Sequence, residues 1–115
     1  DKTYFEYIGD NTPESVVLQQ DVGWTLHAGR DPIAFVKSYR GRVLTTHFKS
    51  PAMEGTEHVP IIGLDGVRWD AIYESAVEFG GAEWIVIEQE EYPNGLTPLE
   101  SVARSKAGFD AAIAN

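Results

Sequence analysis

The chain has 115 residues, 43% of them hydrophobic and 23% charged, with no cysteine and a formal net charge of -9. That size and composition fit one globular domain with a real core and exclude wholesale disorder. The acidity argues against nucleic acid or an anionic membrane as a bulk partner, the missing thiols exclude disulfides and thiolate metal sites, and no apolar stretch reaches the roughly 20 residues that span a bilayer.

The N-terminus, Asp1-Lys2-Thr3-Tyr4, is not a signal peptide, and a cytoplasmic setting is compatible with the composition. With no initiating Met, the chain reads as processed or as a fragment of something longer. Tyr4 to Ile8 predicts a short amphipathic helix with one aromatic face, and Asn11-Thr12-Pro13 breaks it. Val16 to Asp21 reads as a strand. Val22 to Gly29 follows as a loop or short helical turn. Asp31-Pro32 opens a helix, Asp as N-cap and Pro at the first helical position. Ile33, Phe35 and Val36 supply its buried stripe, and Gly41 stands where a C-terminal glycine belongs.

Arg42 to His47 is the second strand. A long connection, Phe48 through Val67, carries Pro51, Gly55, Pro60, Gly63 and Gly66; connections of that length inside compact domains are usually functional or disordered. Trp69, Ile72, Tyr73, Ala76 and Val77 then fall on one helical face, closed by Gly80-Gly81. Glu83 to Glu88 is the third strand, apolar enough to suit burial on both faces, with Trp84 in the core. Tyr92 to Gly95 is a loop. Thr97-Pro98-Leu99-Glu100 is a capping box, and Leu99, Val102, Phe109 and Ile113 mark the buried face of the last helix.

A helix followed by three βα units predicts an α/β fold with a parallel sheet and right-handed crossovers, organised as one domain over residues 1–115. Each strand ends on a metal-ligand type: Asp21, His47 and Glu88. In βα architectures that rim of the sheet is where active sites lie. Side chains alternate along a strand, so Val17, Gln19 and Asp21, Val43, Thr45 and His47, and Trp84, Val86 and Glu88 share one face. A strand-terminal Asp also serves as a cap and a lone His also serves in a core, but three at equivalent positions point to a divalent-metal site. Glu90 and Glu91 lie just beyond it. His27 and His58 read as surface residues.

Several stretches then carry a resemblance. They are Gln20-Asp21-Val22-Gly23-Trp24 with Ala28-Gly29-Arg30-Asp31-Pro32, Tyr39-Arg40-Gly41-Arg42 leading to His47-Phe48-Lys49, and Ile62-Gly63-Leu64-Asp65-Gly66-Val67-Arg68-Trp69. Trp84-Ile85-Val86-Ile87-Glu88-Gln89-Glu90 and Pro98-Leu99-Glu100-Ser101 complete the set. In this order they resemble the C-terminal part of the sugar phosphate isomerase/epimerase family, the xylose-isomerase-like TIM barrels. The resemblance implies the last three strands of a (β/α)8 barrel and a divalent metal (manganese, magnesium, cobalt or zinc). It implies Asp21, His47 and Glu88 as ligands, a fourth Glu from an earlier strand without a counterpart here, and Glu88 as one of an acid/base pair. The implied activity is metal-dependent isomerisation or epimerisation of a sugar or sugar phosphate. An inosose-type dehydratase or lyase, or a non-catalytic half-barrel module, are the alternatives. Trp24 stands where many members have a substrate-binding His, and Ser50 where they have Asp. Trp24, Lys49 and Glu90 are the candidate substrate contacts.

A TIM barrel takes about 250 residues, so three units leave an open sheet with unpaired edges. The expectation is a homo-oligomer, or completion by a complementary N-terminal barrel chain.

Overall fold

The computed structural model describes residues 1–51 and 57–114. Of the long connection after Phe48, the part around Gly55 therefore lies outside the described residues. The order is α1 (Tyr4–Asp10), β1 (Gln20–Asp21), α2 (Val22–His27), α3 (Pro32–Ser38), β2 (Thr45–Phe48), α4 (Trp69–Glu78), β3 (Trp84–Ile87), a 3-10 turn (Pro93–Gly95) and α5 (Pro98–Ile113). The strands form one parallel sheet in the order β1-β2-β3. Register pairs Asp21 with His47 and His47 with Val86. No helix among the described residues is long and apolar enough to cross a membrane.

Helix starts follow local chemistry. Thr3 and Thr97 each close a capping box with the Glu three residues on, and the Asp31 side chain accepts from Ile33 N with Pro32 at the first helical position. The turn after Asp21 proves to be a full helix, because the Asp21 carboxylate caps it at Trp24 N. The strands are shorter than their apolar runs. Leu18 N donates to Arg42 O, and Val43 N donates to Gly80 O instead of to a neighbouring ladder. Residues 16–19 and 42–44 thus lead into the sheet without being part of it.

One face of the sheet is packed and the other is open. Thr46 and Phe48 are buried, and Ile85 and Ile87 pack onto a cluster built on Val22, Phe48, Ile62, Trp69, Ile72, Ala76 and Phe109. A second cluster joins Leu18, Phe35, Val36, Tyr39 and Val43, with Phe5 stacked on Phe35 at 4.8 Å. On the opposite face Val86 is 43% and Trp84 68% exposed, which corrects the expectation that β3 is buried on both sides with Trp84 in the core. Val77 and Leu99 also face solvent; of the expected α5 face Phe109 is buried and Ile113 packs against the core, and Ser101 and Ser105 are buried beside them. In α1 Phe5 packs on the second cluster and Gly9 is buried against the Tyr39 ring, while Tyr4, Tyr7 and Ile8 are exposed.

Polar anchors fix the connections. Buried Asp65 accepts from Trp69 Nε1 at 2.9 Å and from Val67 N at 3.0 Å, closing the approach to α4. Arg42 reaches back to Val16 O, Gly9 O and Thr12 Oγ1, tying the N-terminal segment to the start of β2. Gly108 lets α5 lie directly on the 61–63 loop: a Cβ there would stand 1.8 Å from Ile62 O.

Candidate metal centre

Three adjacent chain segments end at one rim. Asp21 closes β1, His47 lies in β2, and Glu88 follows β3 with its N–H donated to Phe48 O at 3.1 Å. The parallel register makes Asp21 and His47 direct neighbours, and parity turns Glu88 to the same open face. One potential ligand atom from each of Asp21, His47 and Glu88 lies within 4.8 Å of the others.

Asp21 divides its two oxygens. Oδ1 accepts from Trp24 N at 2.9 Å, and Oδ2 faces His47 Nδ1 at 3.6 Å. Glu88 Oε2 lies 3.2 Å from the same Nδ1. This carboxylate oxygen is buried, yet no aligned hydrogen bond reaches it among the described residues. The cation nearest to it is the Lys49 ammonium at 3.1 Å, and a metal ion would compete for the same oxygen. Ligand atoms about 2.1 Å from one ion stand at most about 4.2 Å apart, so a slight contraction would bring the three onto a common cation. An imidazole with two carboxylates suits zinc, manganese, cobalt or magnesium without selecting among them.

Lys49 is held more tightly than a loop lysine. It is 7% exposed, and its Nζ lies 3.0 Å from Asp21 Oδ2, 3.1 Å from Glu88 Oε2 and 3.3 Å from Glu90 Oε2. The ammonium also stands over the Trp24 ring, 5.1 Å from its centroid. Burial works to lower its pKa, but the carboxylates of Asp21, Glu88 and Glu90 outweigh that and raise it above the ordinary lysine value. Gly23 permits the approach of α2, since a Cβ there would stand 2.5 Å from Lys49 O.

Trp24 is 55% exposed at the rim, beside a cavity of about 140 Å³ that His27, Lys49, Ser50 and Glu90 also line. A wider groove of about 690 Å³ touches Asp21 at one end but runs mainly over α1, α2 and α3, past Glu6, Arg30 and Phe35. Glu90 stands at the edge of the cluster, whereas Glu91 forms no ion pair with Lys49 and lines the same small cavity. His27 and His58 are surface residues.

Sequence reasoning missed the polar scaffold beneath the acids. Gln89 turns away from Glu88 and Glu90, donates to Pro60 O at 2.7 Å and accepts from Ser105 Oγ at 2.6 Å. Ser105 Oγ in turn accepts from Ile62 N. Gln19 donates to Thr45 Oγ1 at 3.0 Å. Alternation around Glu88 and Glu90 implies that Gln89 faces inward, but its partners are distant in sequence.

No protein-family model matches the sequence. The rhizopine catabolism protein MocC of Rhizobium meliloti is 30% identical over an alignment of 125 residues, covering 85% of this chain and 38% of that protein. Two solved sugar phosphate isomerase/epimerase structures from Parabacteroides distasonis superpose with TM-scores of 0.70 and 0.71, at 21% and 23% identity. Each superposition covers 99% of this chain and 37% of the solved one. The chain thus spans well under half the length of the relatives it matches. Its three parallel βα units have the fold of a part of those barrels, and it is to the sugar phosphate isomerase/epimerases that the chain is similar.

Proposed function

We propose that this chain is the metal-holding part of a sugar or sugar phosphate isomerase or epimerase, with Asp21, His47 and Glu88 as ligands. The observation that carries the reading is the convergence of their ligand atoms, from neighbouring strand ends, within 4.8 Å on the open face of the sheet. The superposed epimerase structures and MocC, a catabolic protein, support a small carbohydrate as substrate.

A divalent cation bound there supplies Lewis-acid polarisation of a substrate oxygen. Glu88 takes the proton from the carbon next to the substrate carbonyl, and a second carboxylate returns one to the neighbouring atom or the opposite face. The family resemblance assigns that second acid to an earlier strand, so it comes from chain outside these residues or from a partner. Asp21 and His47 would hold the cation with Glu88, while Trp24 offers an apolar ring to a sugar face. Glu90 and Lys49 are the candidate contacts for substrate hydroxyls.

Calorimetric titration with Mn²⁺ tests this. The protein binds the ion, and His47→Ala and Glu88→Gln each weaken binding by about tenfold or more, the loss of one ligand contact. Unchanged affinity in both variants rules out the ligand assignment.

A further inference from the structure

We propose that Lys49 is an internal counter-ion that occupies the carboxylates before the metal does, and that metal binding displaces it from Asp21 and Glu88 onto Glu90. The inference rests on the metal reading above and deepens it.

The argument is one of shared atoms. Asp21 Oδ2 and Glu88 Oε2 are the oxygens that face His47 Nδ1, at 3.6 and 3.2 Å. The same two oxygens hold Lys49 Nζ, at 3.0 and 3.1 Å. A cation coordinated by Asp21, His47 and Glu88 needs those lone pairs and repels the ammonium beside them. Lys49 has somewhere to go. Glu90 Oε2 is already 3.3 Å from Nζ, and the Trp24 ring lies under the ammonium with its centroid 5.1 Å away.

Charge balance agrees. Asp21, Glu88 and Glu90 bring three negative charges against one ammonium. A divalent ion on Asp21 and Glu88, with Lys49 kept on Glu90, makes the cluster neutral. Without the metal, Lys49 limits the repulsion between carboxylates that the strand ends force together. It thereby holds the ligand oxygens near their binding positions, at the cost of competing for them.

The test is calorimetric titration with Mn²⁺ of the wild type, Lys49→Met, Lys49→Gln and His47→Ala, with circular dichroism of each. Removing the competitor tightens Mn²⁺ binding in both Lys49 variants by about tenfold. The two side chains guard against a folding failure in either one. The same variants melt at lower temperature than the wild type in the absence of metal, and Mn²⁺ raises their melting temperatures by more. Equal or weaker Mn²⁺ binding in folded Lys49 variants, with binding weakened about tenfold or more in His47→Ala, overturns the counter-ion role and leaves the metal site standing. No binding by the wild type overturns the metal site and this inference together.

Discussion

Asp21 was open to two readings from its sequence position, helix cap or ligand, and the structure gives each oxygen one task. Oδ1 caps α2 at Trp24 N while Oδ2 is left for the cluster. The two tasks separate by substitution. Serine caps a helix as well as aspartate but offers no second oxygen. Asp21→Ser therefore keeps a thermal midpoint within a few degrees of the wild type and weakens Mn²⁺ binding by about tenfold or more. Asp21→Ala loses the cap as well and falls by about 1 kcal/mol more. Thermal melts of both variants beside Mn²⁺ titrations check this; equal stability of the two would show that the cap contributes little. At this scale the cluster was legible because parity fixes which face a strand residue takes. The same alternation, carried past the strand ends, sets Lys49 with His47 and Glu90 with Glu88. The burial of Lys49 was not legible, since it depends on Gly23 admitting α2 against Lys49 O.

Helices were read more closely than strands, and the reason is physical. Caps and 3.6-residue periodicity are local, so Thr97-Pro98 and Asp31-Pro32 mark their helices directly. A strand exists only where a neighbour bonds it, and Val16 to Gln19 has Arg42 O as a partner at Leu18 but no continuing ladder. Which face of a helix is buried is also set from outside. Leu99 looked like core by spacing, yet α5 turns Ser101, Ser105 and Phe109 inward because the 61–63 loop lies against it. Gly108 makes that contact possible. In an isolated helix Gly→Ala gains up to about 1 kcal/mol. Here the new Cβ would stand 1.8 Å from Ile62 O, so Gly108→Ala forces the loop away and strains the Ile62 N to Ser105 Oγ bond. The expected result is a net loss of roughly 1–3 kcal/mol, the usual cost of overpacking, seen as a lower urea midpoint. Because Gln89 is held by Ser105 and Pro60, the substitution also loosens Glu88 and Glu90 and weakens Mn²⁺ binding. A raised urea midpoint would mean that the loop shifts at no cost.

The molecule as a whole is a one-sided layer, with extents of 44 × 29 × 22 Å and its helices packed on one face of the sheet. The other face carries the candidate centre beside exposed Trp84 and Val86, and among the described residues β1 and β3 are each paired along one edge only. In a closed barrel these residues would line the interior, and the matched structures are more than twice as long as the stretch that matches. We propose that further βα units, from the same protein or from another copy, cover this face and bring the missing carboxylate. Until they do, the apolar inner face and the open edges favour self-association. Sedimentation of the 12.7 kDa chain at tens of micromolar is therefore expected to show heavier, concentration-dependent species. Trp84→Thr with Val86→Thr places β-branched threonine at both strand positions while removing apolar surface, and shifts the distribution toward monomer. These two positions lie on the open face, so the packed side and its melting behaviour change little. A folded monomer at every concentration would show that the open face tolerates water, and the need for a covering partner would then rest on the missing catalytic acid alone.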